Sequence, residues 1–428
     1  MKWRVYHTVW AVLWFGWLSN YAVRIALSPV LLSVREEFGR SHGEAGLLMS
    51  VFFYAYAAMQ LPAGALGDRF GRKRILVWGA LMWGVMALLT GFAPSFAWLL
   101  GCRFLTGLAE GVYFGSDRPV IAAVTPPEKM ALGQGLSFTG LGLGMALGLI
   151  AAGRIHALWG WRAVFQILSL PALLASFLLA RFLPESRDRK GEIGNSKLEV
   201  GNAKFEGGNA QAGPRPSPLP FPFRLVFCRF DLWMIYLAGI AAIYASWTAQ
   251  TWAPAMFEEL GVRNRAAAAY CTSVYGLAAL PALPLMGAWS DRLARRGRGR
   301  KMLVALGLGA FGGLMAAFGY GLDAGASVPL MVGLLFLIGM VSWGLWAPLF
   351  SLVTHLVPPE VRGTTFGLMN AIHFLGAILA PWLTGHIRDA TGSFVLGAYS
   401  ATALLLLAAV LMASVRPAFR WAPESPPY

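Results

Sequence analysis

Residues 64–73 read GALGDRFGRK, and this decapeptide sits between two apolar stretches, 46–66 and 75–93. Each stretch is close to the roughly 20 residues that a helix needs to cross a bilayer. The string has the chemistry of a tight loop joining two packed helices. Gly64 removes a side chain where one helix presses on another. Asp68 offers a carboxylate to the N-terminus of a neighbouring helix, expected near Gly363. Gly71 permits a sharp reversal, while Arg69, Arg72 and Lys73 hold positive charge at one membrane face. A second copy, Gly287-Ala-Trp-Ser-Asp291-Arg292, follows the apolar stretch 267–290, with Ala294 where the first copy has Gly71.

Outward from these two copies, twelve stretches of spanning length can be marked: 6–32, 46–66, 75–93, 97–123, 133–153, 163–183, 232–256, 267–290, 302–322, 328–355, 364–385 and 394–415. The first begins after Lys2 and Arg4 as a signal peptide would, but it is long and contains Arg24, so it reads as retained. Between the sixth and seventh, residues 184–229 are rich in Gly, Asn, Pro and charge, the composition of a flexible linker. Pro126-Pro127-Glu128 follows the fourth stretch and Pro358-Pro359-Glu360 the tenth, so the repeat extends beyond the loop. The expectation is an all-α membrane protein with twelve transmembrane helices in two pseudo-symmetric six-helix halves, 1–183 and 230–428, related about the membrane normal with a cavity between them.

Composition agrees. Of 428 residues, 57% are apolar and 13% charged, too little polar surface for soluble domains. The net charge of +15 follows the spans: with both termini cytoplasmic, 25 of the 35 Lys and Arg lie inside, seven outside and three within spans. The RRGRGRK run at 295–301 then orients the chain and attracts anionic lipid rather than nucleic acid. Three scattered cysteines and six histidines without ligand spacing give no metal site, and no cofactor is expected.

The stretch Gly64-x-x-x-Asp68-Arg69-Phe70-Gly71-Arg72-Lys73, between spans two and three, resembles the signature loop of the major facilitator superfamily, and Arg103-x-x-x-Gly107-x-x-x-Gly111 resembles another of its patterns. Within it the chain is most similar to the anion:cation symporter family of organic-anion transporters. That similarity rests on Asn20-Tyr21-Ala22-Val23-Arg24-Ile25-Ala26-Leu27-Ser28, on Phe53-Tyr54-Ala55-Tyr56 through Gln60-Leu61-Pro62, on Arg103-Phe104-x-x-Gly107-x-x-Glu110 and on Gly160-Trp161-Arg162. The resemblance implies a transporter of organic anions. That family usually has an Asp directly before the span-one arginine, and in related proton-coupled members it takes part in coupling; Val23 stands there in this chain.

An ionised group within a span needs a partner or a wet cavity. Five occur, all in the first half: Arg24, Arg103, Glu110, Asp117 and Arg118. Arg24 offers a guanidinium fork for an oxyanion, or a permanent partner for Glu110. Arg103, Glu110 and Asp117 are spaced by seven and so share one helix stripe. Glu110 is the candidate proton carrier, with Asp117 as a second; the alternative for Glu110 is a fixed counter-ion. Arg118 reads either as a second anion contact or, with Asp117, as a brace to the signature loop. Arg103, Asp291 and Arg292 read as structural. Tyr21, Tyr54, Gln60, Asn370 and His373 complete the substrate-binding candidates.

The function expected is a secondary active transporter that moves a small organic anion by alternating access, coupled to a proton or another ion, monomeric, in a bacterial cytoplasmic membrane. A uniporter or exporter of an amphipathic or neutral small molecule is the alternative. A polytopic enzyme or a transporter-like sensor would need a catalytic cluster or a soluble partner domain, and the sequence offers neither.

Overall fold

A computed structural model describes residues 4–126, 129–184, 229–295, 300–357 and 362–415. The expected linker 185–228, the basic run 296–299, the pair Pro127-Glu128 and the triplet Pro358-Pro359-Glu360 lie outside the described residues, as do the side chains of Gly64, Asp68 and Asp291.

Among the described residues every regular element is helical. The first half runs α1 (Val5–Ile25), a 3-10 turn (Ser28–Val30), α2 (Leu31–Glu37), α3 (His42–Phe70), α4 (Arg72–Thr90), α5 (Phe96–Val124) and α6 (Met130–Phe182). The second runs α7 (Phe230–Glu259), α8 (Arg265–Leu277), α9 (Ala279–Arg295), α10 (Arg300–Asp323), α11 (Val328–Gly344), α12 (Trp346–Leu356), α13 (Arg362–Thr391) and α14 (Val395–Ser414). Nine described helical runs are long and apolar enough to cross a membrane. One of them, 139–182, is two crossings joined at Gly160, whose φ of 80° turns the chain. The 29-residue helices α3 and α5 complete the twelve. Between them they carry Gln60, Arg103, Glu110, Asp117 and Arg118.

Gly71, at φ 89°, ends α3 and opens α4, with its N–H bonded to the Gly67 carbonyl at 3.0 Å. Arg69 and Arg292 are exposed; Arg72 and Lys73 are half-buried. Large apolar side chains such as Leu170, Phe177, Leu285, Leu306 and Val410 are turned outward, a surface that only lipid would solvate.

The glycines of α6 divide between two neighbours. Gly140, Gly144 and Gly148, four residues apart, seat the backbone of α1 at Trp14, Leu18 and Ala22. Gly142 and Gly153 face the second half instead, at Ala279 of α9 and at Ala266 and Ala269 of α8. One helix thus packs closely within its own half and across to the other.

The two halves meet along α3 with α13 and α6 with α8. At the end opposite the loop 69–74 they are sealed. Asp389, near the end of α13, accepts the N–H groups of His42 (2.9 Å) and Gly43 (2.8 Å) at the start of α3, and lies 2.7 Å from His42 Nδ1. A carboxylate from one half therefore satisfies orphan donors of a helix in the other. Ser28 donates to the Gln250 and Thr251 carbonyls of α7, and Arg265 of α8 pairs with Glu36 at 3.0 Å.

Adding a methyl at Gly148 puts a carbon 2.6 Å from the Ala22 Cα, a backbone atom with no rotamer to escape into. Gly148→Ala is expected to lower stability by about 1–3 kcal/mol, as overpacking does. Gly101→Ala, which meets nothing within 4 Å inside a helix, leaves the thermal midpoint of the detergent-purified protein no lower than wild type.

Candidate functional site

Arg24 and Glu110 meet in the middle of the first half. Arg24 lies in the last turn of α1, where the chain passes through the 3-10 turn into α2, and Glu110 sits at the midpoint of α5. Arg24 Nε donates to Glu110 Oε2 at 2.8 Å, Nη2 stands 2.7 Å from the same oxygen, and Nη2 donates to Asn20 Oδ1 at 3.2 Å. Both side chains are essentially inaccessible, 1% and 0% exposed. Aromatic rings wall the guanidinium: Tyr21 at 4.4 Å, Tyr56 at 4.8 Å and Phe52 at 5.3 Å from its carbon.

The pair is not saturated. Arg24 Nη1, Glu110 Oε1 and Asn20 Nδ2 are all buried without a hydrogen-bond partner. Each such orphan costs about 1–3 kcal/mol. Arg24 Nη1 is a free donor of the kind an oxyanion takes, and Glu110 Oε1 is an acceptor open to a proton.

Arg103, two turns along α5 from Glu110, is 2% exposed. It pairs with no carboxylate among the described residues. Its Nη2 lies 3.7 Å from Met49 Sδ, its Nε has no partner, and its guanidinium carbon is 5.8 Å from the centres of Phe52 and of Phe165.

Asp117 and Arg118 form a separate group. Asp117 Oδ2 accepts from Trp17 Nε1 at 2.7 Å and lies 2.9 Å from Arg118 Nη2; Arg118 Nη1 donates to Ser137 at 2.8 Å. Among the described residues these contacts tie α5 to α1 and α6.

The remaining candidates scatter. Tyr21 stacks on Arg24. Tyr54 is 60% exposed, on a stripe of α3 with Ala58 and Pro62. Tyr56, two residues on, is the tyrosine that turns inward, because neighbours on a helix point about 100° apart. Gln60 accepts a hydrogen bond from Asn370 Nδ2 across the halves. His373 is 1% exposed, with Nε2 donating to the Ile235 carbonyl at 3.3 Å and Nδ1 unpartnered. It lines a cavity in the second half with Gly239, Ser246, Ser342, Trp346 and Leu349. Gly239 makes the room, since any side chain there would strike the His373 ring.

Three features escaped sequence reading. Asn20, Phe52 and Tyr56 around Arg24 lie at i−4 on the same helix and on facing turns of α3, a proximity that only packing creates. Tyr275, Ser342 and Ser246 form a hydroxyl chain of 2.8 and 2.7 Å behind the cavity. The Asp389 contact had one visible signal, the Ser41-x-x-Glu44 box that opens α3, in which the Ser41 hydroxyl accepts from the Glu44 N–H at 3.1 Å.

Glu110→Ala leaves the Arg24 cation buried without its counter-charge, a loss of about 3–5 kcal/mol. The variant is expected to unfold at lower temperature than Glu110→Gln, which keeps a hydrogen-bond acceptor; thermal unfolding of the two in detergent checks the order.

Comparison with known proteins places this geometry. The chain is 28% identical over 415 residues, 96% of its length and 94% of the other, to the probable sulfoacetate transporter of Cupriavidus necator. It is 28% identical over 381 residues, 87% and 86% of the two chains, to the D-galactonate transporter of Escherichia coli. With the voltage-gated purine nucleotide uniporter of Mus musculus it shares 24% over 397 residues, 90% and 83% of the two. A crystal structure of a bacterial homolog to the human lysosomal transporter Spinster, inward-facing and occupied, superposes with a TM-score of 0.78 over 99% of this chain and 100% of that one at 17% identity. The D-xylose-proton symporter gives 0.75 over 96% and 97% at the same identity. The family model of the Major Facilitator Superfamily matches residues 13–381 and 263–427, and the chain belongs to that superfamily.

Proposed function

We propose that the protein is a secondary transporter that carries a small organic anion by alternating access, with Arg24 as the anion contact and Glu110 as the counter-ion that the anion displaces and that then takes a proton. The observation that carries this is the buried, unsaturated Arg24–Glu110 pair. An oxyanion can claim both faces of a guanidinium fork, and a carboxylate released in a low-dielectric site is easier to protonate. The named substrates of the two relatives at 28% identity, sulfoacetate and D-galactonate, are organic anions.

In this reading the loop 69–74 and the other basic segments face the cytoplasm of a bacterial cell, as does each terminus, and the sealed end faces out. The halves, 1–183 and 230–428, rock about a monomer's cavity, with 184–229 as the tether. Asn370 and His373 serve the part of the substrate that enters the second half, while Arg103, Arg118 and Asp117 stay with the first.

A second reading is voltage-driven uniport. Val23 stands where the proton-coupled pattern has a carboxylate, and one relative is itself described as a uniporter. Counterflow and pH-driven uptake separate the two.

In proteoliposomes loaded with the purified protein, Arg24→Ala and Arg24→Lys are expected to abolish sulfoacetate uptake, and unchanged uptake overturns the site. Glu110→Gln is expected to retain sulfoacetate exchange and lose accumulation driven by an imposed pH gradient. Accumulation that persists in Glu110→Gln removes Glu110 from coupling.

If the Asp389 contact is the outer seal, Asp389→Ala shifts the population toward the state open at that end. A single cysteine in place of Ser28, buried between the halves and changed by one atom only, then gains reactivity toward an impermeant maleimide in right-side-out vesicles. Equal labelling with and without Asp389 rejects the seal.

A further inference from the structure

We propose that Arg103 is a standing, uncompensated cation of the binding cavity, so that the charge of the substrate sets the number of protons bound with it: a monoanion binds without a proton, and a short dianion binds with one proton on Glu110. This deepens the reading of Arg24 and Glu110 given above and rests on it.

The charge count is simple. Among the described residues, the charged groups within the spans of the first half include two pairs of opposite charge, Arg24 with Glu110 and Arg118 with Asp117. Arg103 is left over. It is 2% exposed, keeps an unpartnered Nε, and has a thioether and two aromatic rings around it where a carboxylate would be expected. A guanidinium does not deprotonate in a protein, so the charge stays. The buried site around Arg24 and Arg103 therefore carries one net positive charge in a medium that tolerates none.

Arg103 belongs to the same site as Arg24. Both guanidinium carbons address the Phe52 ring, at 5.8 and 5.3 Å from its centre. Arg103 also shares the α5 stripe with Glu110, about 10 Å along the helix axis. Two guanidinium groups on one aromatic ring suit a short molecule with an oxyanion group at each end.

Neutrality then fixes the occupants. With Arg24, Arg103 and ionised Glu110, the cavity lacks one negative charge, which a monoanion supplies. A dianion brings one charge too many, and a proton from solvent on Glu110 restores the balance. The groups that face Glu110 leave no other acceptor: Asn20, Tyr21 and Arg24 on α1, Tyr56 on α3 and Arg103 on α5. The tyrosines are already neutral at pH 7, and the arginines remain charged. Asp117 is engaged by Arg118 and Trp17, and His373 packs on Ile235 in the other half.

The test is titration calorimetry of the purified full chain near pH 7, in two buffers of different ionisation enthalpy, with D-galactonate as the monoanion and sulfoacetate as the dianion. The buffer dependence of the heat counts protons. Wild type is expected to take up none with galactonate and one with sulfoacetate. Arg103→Gln removes the standing charge, so galactonate now binds with one proton, and sulfoacetate weakens by at least about tenfold relative to galactonate. Arg103→Lys, which keeps the charge, gives the wild-type counts. Equal counts in wild type and Arg103→Gln, with binding still lost in Arg24→Ala, overturn the inference and leave the Arg24 site standing. Binding of both anions that survives Arg24→Ala, or no binding of either by wild type, overturns the site and the inference together.

Discussion

A guanidinium and a carboxylate 2.7 Å apart, with less than two hundredths of either surface exposed, are the constraint around which the first half is arranged. Neither ion would be tolerated alone at that depth, and the pair is tolerated only because α1, α3 and α5 close round it with Asn20, Tyr21, Phe52 and Tyr56. The aromatic faces supply attraction for the cation without competing for its hydrogen bonds, leaving one edge of the fork and one carboxylate oxygen unsatisfied.

The second half is built on the opposite principle. Its contributions to the interface are hydroxyls, an amide, an imidazole and aromatic rings: Phe374 lies 4.9 Å from Tyr56 and Trp247 lies 4.2 Å from Phe53. Neutral surfaces can part and close without stranding a charge. Among the described residues, the charged contacts that cross between the halves, Asp389 with the N–H groups of His42 and Gly43 and Arg265 with Glu36, are at the sealed end, partly exposed, where water can take over each partner. Charge is thus buried where it must stay with one rigid body and placed near solvent where it must let go.

The fold was legible because its rules act along the chain. Twelve apolar stretches, a repeated loop and a one-sided Lys/Arg distribution are local properties, and each follows from what a bilayer demands. The Arg24–Glu110 pairing was also within reach, since two ionised groups among few in one half have little choice of partner. What could not be read is rotation about helix axes. Tyr54 and Tyr56 look equivalent in sequence, yet two residues of helix carry one outward and the other onto the guanidinium. Asp117 and Arg118 likewise turn toward Trp17 and Ser137 because α6 presses its glycines onto α1, a packing consequence with no counterpart in the Asp-Arg dipeptide. The hydroxyl chain of Tyr275, Ser342 and Ser246 joins three helices from distant positions, so no window of sequence contains it.

Val23 gains its meaning from this arrangement. It is 1% exposed, beside an arginine, at the position where the similar transporters usually have an aspartate. A carboxylate there would have brought the buried groups of the first half to three anions against Arg24, Arg103 and Arg118, and the empty site to neutrality. With valine the count is two against three. In the proposed reading, an apolar residue in the first span does not simply delete a proton acceptor: it leaves Arg103 without a balancing charge before any substrate arrives, so that an anion binds by neutralising that charge and Glu110 takes the proton that a further negative charge requires.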